Sequence, residues 1–217
     1  MSRFLFPRWS NSLIPVLLVV GGVAPIYVAF LVAYGFSPKS LDVGYQPVQP
    51  VAFSHAMHAG QLGLDCRYCH STVDRASFAA VPATQVCMNC HTQIRKDSPK
   101  LAEVRSSYET GSAIPWVEVH KLPDYAYFDH SAHVNRGVSC VECHGRIDTM
   151  ERVTRVKELS MGWCLNCHRD PVDNLRPVSK ITTLWWDQKT ELTQSEREAL
   201  VQLYHISPSE NCSTCHR

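Results

Sequence analysis

The sequence predicts a mostly α-helical and irregular fold, with short helices and loops in place of a conventional layered core, behind one N-terminal membrane-crossing helix. Three observations carry this: a charge-free apolar run near the N-terminus, ten cysteines set in five identical motifs, and a two-motif block that occurs twice.

The apolar run comes first in the chain. No charged residue stands between Trp9 and Pro38, and the stretch SLIPVLLVVGGVAPIYVAFLVAYGF exceeds the roughly twenty apolar residues a bilayer needs. A cleavable signal peptide has an apolar region of only about 7–15 residues followed by a small-residue cleavage site. GFSPKS is a poor site of that kind, so the helix is expected to be retained. Pro15, Gly21, Gly22 and Pro25 weaken the helix in isolation, and such residues within a span favour packing against neighbouring membrane helices. Residues 39–52 carry prolines and no helical period, which predicts an extended linker.

The cysteines pair as Cys66 and Cys69, Cys87 and Cys90, Cys140 and Cys143, Cys164 and Cys167, Cys212 and Cys215, with none left over. A histidine follows each pair: His70, His91, His144, His168 and His216. Zinc ribbons, disulfides and thioredoxin-like pairs also use C-x-x-C, but none requires histidine directly after every pair. C-x-x-C-H is the attachment sequence of a c-type haem: each thiol adds to one vinyl group, and the imidazole binds the iron from below. Five covalently attached c-type haems are therefore expected. With so few residues per haem, apolar burial must come largely from the porphyrins, and folding is coupled to their attachment. The formal net charge of +1 omits the haem propionates, which make the assembled protein acidic and give its basic residues partners. Nothing points to nucleic acid. Haem attachment in bacteria takes place outside the inner membrane, which puts the haem domain on the periplasmic face. Arg3 and Arg8 ahead of the helix agree with that topology, and Lys39 and Asp42 after it roughly cancel.

The motifs begin at 66, 87, 140, 164 and 212, so short steps alternate with long ones. FSHAMHAGQLGLDCRYCH aligns with FDHSAHVNRGVSCVECH, matching Phe53 with Phe128, His55 with His130 and His58 with His133. Each copy leads into a second motif, CMNCH or CLNCH, which reads as a duplicated two-haem unit of about 75 residues. Histidines three apart share one face of a turn, so F-x-H-x-x-H can reach two irons. Six histidines stand outside the motifs, namely His55, His58, His120, His130, His133 and His205, and these are the candidate distal ligands for five irons, with one to spare. Met150 and Met161 are weaker candidates; methionine ligation would raise one haem's potential.

The chain thus divides into an anchor at 1–38, the linker at 39–52, a first two-haem unit with its connector at 53–119, a second unit at 120–180, and a C-terminal helix with the fifth motif at 181–217. AIPWVEVHKLPDYAYF, bounded by prolines, is expected to run extended. Thr193 and Glu196 form a capping box ahead of Leu200, Leu203 and Tyr204, predicting one helix of about a dozen residues.

The anchor, FSHAMH, WVEVHKLPDYAYFDHSAH, CHGRIDTMERV, LSMGWCLNCHR and the last motif together resemble the membrane-anchored pentahaem cytochrome c subunit of bacterial alternative complex III. The histidine turn with its motif is also similar to small multihaem cytochromes of the c7 and c3 type. The resemblance implies an electron wire within a quinol-oxidising complex of the inner membrane, not itself an enzyme. It also implies polytopic membrane subunits, an iron–sulfur subunit and a monohaem cytochrome c as partners, with electrons passing to a soluble carrier or a terminal oxidase. By analogy with the small cytochromes, His55 and His130 would ligate the haems of their own following motifs, and His58 and His133 would reach neighbouring ones. Two other functions compete. A stand-alone quinol dehydrogenase would need a quinol site beside the anchor, where no obvious acid stands. A multihaem reductase would need a vacant iron position, yet distal candidates suffice for all five.

Overall fold

A 3-10 turn at Arg8–Ser12 runs into α1, Leu13–Gly35, in a computed structural model that describes residues 6–36 and 42–217. Arg3, Lys39 and the start of the expected linker lie outside the described residues. The chain divides into two compact units, Met1–Asp42 and Val43–Arg217. In the first, Pro15 falls in the opening turn of α1, where its missing N–H would have no partner anyway, while Pro25 lies inside the helix and removes one of its bonds. None of the residues of α1 is buried. Its 23 residues span about 35 Å at 1.5 Å per residue, and the apolar stretch Trp9–Gly35 is long and apolar enough to cross a membrane.

The second unit is assembled from short helices: α2 (Cys66–Cys69), α3 (Thr84–His91), α4 (Ala102–Thr110), α5 (His130–Val134), α6 (Cys140–His144), α7 (Met161–Arg169), α8 (Gln188–Glu191), α9 (Gln194–Leu203) and α10 (Cys212–Cys215). No strand occurs among the described residues, which pair as β only at the isolated bridges Ala126 with His216 and Val138 with Leu175. The fold is mostly helical and irregular, as the sequence predicts.

Local chemistry explains where several helices begin. Asp65, Ser139 and Ser160 accept hydrogen bonds from the first-turn N–H groups of α2, α6 and α7, so three of the five motif helices carry a side-chain cap. Thr193 and Glu196 complete the expected capping box at the head of α9. At the other end of α4, Gly111 takes φ of 72° and closes the helix in the left-handed conformation that glycine adopts without strain. The connector over 113–128 has no helix, in line with its prolines.

Apolar packing is sparse. Val51, Val104 and Ile114 form one small cluster with Cys87, Met88, Leu101 and Trp116 around them. Val73, Val134 and Ile181 form another, against Ala79, Cys140 and Val178. Both clusters abut cysteines of the motifs, Cys87 in the first and Cys140 in the second.

Candidate haem-binding site

Each C-x-x-C lies on one short helix, which brings its two thiols to one face, and the histidine that follows sits at or just past the helix end. At four of the five motifs the ring orientation of that histidine is fixed from behind. His70 donates from Nδ1 to the Ala80 carbonyl at 2.9 Å, His91 to Ile94 at 2.9 Å, His168 to Ser209 at 2.8 Å and His216 to Tyr125 at 3.2 Å. A carbonyl oxygen can only accept, so the proton is on Nδ1 and the lone pair of Nε2 is left for a metal. A backbone carbonyl behind the ring is the usual partner of a metal-binding histidine.

The same device holds three histidines outside the motifs. His58 donates to Ser54 O at 2.8 Å, His130 to Ser77 O at 2.7 Å and His133 to Asp129 O at 2.7 Å. These rings stand opposite motif histidines: His58 and His91 have centroids 6.2 Å apart, His133 and His168 6.1 Å, and His130 and His144 6.5 Å with planes only 10° apart. An imidazole nitrogen bonds a transition metal at about 2.0–2.1 Å, so two rings across one iron hold their centroids about 6–6.5 Å apart. All three pairs meet that separation.

Burial keeps the remaining members neutral, as ligation requires. Desolvation, reinforced by neighbouring histidines, lowers His144 to about 3, and desolvation lowers His55 to about 4 with His70 and His58 adding to it. His120 also falls to about 4 through burial, with the Arg155 cation contributing, and burial lowers His133. His55 Nδ1 and His120 Nε2 are buried ring nitrogens without a hydrogen-bond partner, the kind of atom a metal would occupy. His120 meets His144 edge-on at 4.2 Å, too close for one iron to lie between them.

The other candidates stand apart. His205 takes φ of 51° beyond α9, and the Arg136 guanidinium holds its carbonyl at 2.9 Å. Met161 is 65% exposed in the first turn of α7, while Met150 follows a 3-10 turn at Ile147–Thr149.

One polar cluster escapes a motif search. Arg176, 2% exposed, donates to Glu142 at 3.2 Å, to Gln188 at 2.5 Å and to the Trp186 carbonyl at 2.9 Å, and lies over the Trp186 ring. Gln188 also donates to Glu142 at 2.9 Å. Glu142 is one of the two residues between Cys140 and Cys143, so this buried ion pair clamps an attachment helix in place. An acidic residue inside a C-x-x-C-H motif was the one available signal.

All ten cysteines are free, and burial pushes the Cys143 thiol up to about 12, away from the thiolate that zinc or disulfide exchange needs. Among the described residues no three or more His, Cys, Asp or Glu side chains converge as they would around a metal ion. A helix-borne thiol pair followed directly by an imidazole, anchored through Nδ1 at four of the five motifs, is what a covalently attached haem requires, and the repetition defines a multihaem c-type cytochrome. Residues 126–217 match the family of cytochrome c7 and related cytochrome c, and residues 36–113 match the class III cytochrome c family. The menaquinone reductase multihaem cytochrome c subunit of Nitratidesulfovibrio vulgaris is 30% identical over 207 residues, covering 91% of either chain. The chain belongs to the multihaem cytochrome c family, and its haem, once attached, supplies reversible one-electron transfer at the iron.

Proposed function

We propose that the chain is the membrane-anchored, five-haem electron-transfer subunit of a quinone-linked respiratory complex of the alternative complex III kind. The single observation that carries this is the combination of five C-x-x-C-H motifs with opposed histidine pairs at iron-spanning distance, following a helix of membrane length. The cysteine pairs hold the haems, and His70, His91, His144, His168 and His216 bind the irons from one side. His55, His130, His58 and His133 close the irons of His70, His144, His91 and His168 respectively. His205 closes that of His216, and His120 is the spare histidine beside His144.

α1 anchors the subunit with its haem domain on the periplasmic face of the inner membrane, and its glycines and prolines pack against polytopic membrane subunits. An iron–sulfur subunit and a monohaem cytochrome c complete the complex. This chain takes electrons that originate in quinol oxidation and hands them toward a cytochrome c or a terminal oxidase, without a substrate site of its own.

The test is to purify the chain from bacterial membranes, alone and in its complex, and to add a quinol. Reduction of the haems in the complex but not in the isolated subunit is expected; reduction of the isolated subunit would make it a quinol dehydrogenase in its own right. The relative's name supports a second reading, in which the current runs the other way and the complex reduces menaquinone. Supplying reduced cytochrome c and a menaquinone analogue to the complex separates the two directions.

A further inference from the structure

We propose that the attachment motifs are ordered in space as 87–91, 66–70, 140–144, 164–168 and 212–216, because the two two-haem units face one another across a local two-fold axis. The proposal rests on the five-haem reading above.

The aligned repeat fixes which residues correspond: Ala56 with Ser131, Gly60 with Asn135, Cys66 with Cys140, Asp74 with Asp148 and Ala76 with Met150. Contacts between the units come in reciprocal pairs of these positions. The Ala56 N–H donates to Met150 O at 3.0 Å, and the Ser131 N–H donates to Ala76 O at 3.2 Å. Gly60 packs so closely on the Asp148 carbonyl that a Cβ would overlap it, while the Asn135 amide donates to the Asp74 carbonyl at 2.8 Å. Residue i meeting j while the counterpart of j meets the counterpart of i is the signature of an isologous interface, here within one chain. Such an interface has an axis, and equivalent residues meet only there. Cys66 and Cys140 are equivalent, and the reciprocal contacts come from the residues that flank them, 56–60 and 74–76 in one unit and 131–135 and 148–150 in the other. The first motif of each unit therefore lies at the axis.

The second motif of each unit lies outward. His58 stands 6.2 Å from His91, and Tyr68 accepts from the Asn89 side chain at 3.0 Å, which ties motif 87–91 to the turn and helix of motif 66–70. His133, 6.1 Å from His168, makes the equivalent link in the other unit. The fifth motif joins beyond: His168 donates to Ser209 O at 2.8 Å and Arg169 pairs with Glu210 at 3.0 Å, just ahead of Cys212. The axis thus inverts the first unit relative to chain order. The two exposed cysteines of the ten, Cys90 and Cys212, fall in the motifs at the two ends, where a partner protein can reach.

The test is an anomalous-difference map at the iron edge, collected on the unaltered holoprotein. The iron under His70 is expected between those under His91 and His144; an iron under His91 lying between those under His70 and His144 would overturn the order. A mass measurement of the same sample counts attached haems separately, so fewer than five would sink the functional reading while the order of the irons present is still read.

Discussion

The histidine turns of the two units place their rings almost identically on different backbones. In the first, Phe53 stacks on His58 at 4.4 Å and meets His55 edge-on at 4.9 Å; in the second, Phe128 stacks on His133 at 4.5 Å and meets His130 edge-on at 4.8 Å. Yet the first runs through a π-helical turn at Ala56–Gln61, and the second through the regular helix α5. The caps differ as well. Asp129 accepts from the Ser131 and Ala132 N–H groups at 2.9 and 3.3 Å, whereas Ser54 accepts from the Met57 N–H at 2.9 Å. The ring geometry is the shared quantity and the backbone path is not. The ligation proposed for these four histidines would demand fixed ring positions, and π-turns are common where function imposes such a demand.

The comparison can be broken at its centre. C140A/C143A removes the attachment point at the axis and is expected to abolish folding of the second unit, because burial there is organised around the haem. C212A/C215A, at the end, should lose one haem by mass and retain a cooperative melt. A matching loss of structure in both would mean that axis and end do not differ.

Next in size is Arg176→Ala. It leaves Glu142, 22% exposed, with Gln188 as its remaining partner and should cost about 3 kcal/mol in denaturant unfolding of the holoprotein, the low end for a broken buried pair. The first unit's arginine at a motif, Arg67, is a control: it pairs with Asp65 at 2.9 Å with both side chains nearly half exposed. Arg67→Ala should change stability by no more than about 1 kcal/mol.

Gly60→Ala should cost about 1–3 kcal/mol, since the added methyl meets the Asp148 carbonyl and something must shift. Asn135→Ala, at the equivalent position, loses one hydrogen bond and should cost about 1 kcal/mol. The smallest difference is expected at the caps, where Asp129→Ala should cost about 1 kcal/mol and Ser54→Ala less, because Ser54 serves one N–H and Asp129 serves two. Equal losses would show that the π-turn depends on its cap as much as α5 does.

The chain's chemistry was legible because it is local. C-x-x-C-H specifies a covalent bond pattern within five residues, the capping box of α9 is complete within four, and a charge-free run needs no context to be long enough for a membrane. Arg176 was not legible: its partners come from two segments, Glu142 on one side in the chain and Trp186 and Gln188 on the other, and a lone arginine carries no sign of burial. The same limit applies to the four turn histidines, whose spacing put two on each turn without telling which motif each would face.

The sequence by itself determined the motifs, the histidine turns, their repetition and the mostly helical and irregular fold, since each depends on covalent spacing or on hydrogen bonds between near neighbours. Only the tertiary structure decided that His58 faces His91 and His133 faces His168, that Glu142 is clamped by a buried cation, and that Cys66 meets Cys140. Those are through-space relations between segments about 35 to 75 residues apart, set by how each unit folds on itself and, for Cys66 and Cys140, by how the two units pack.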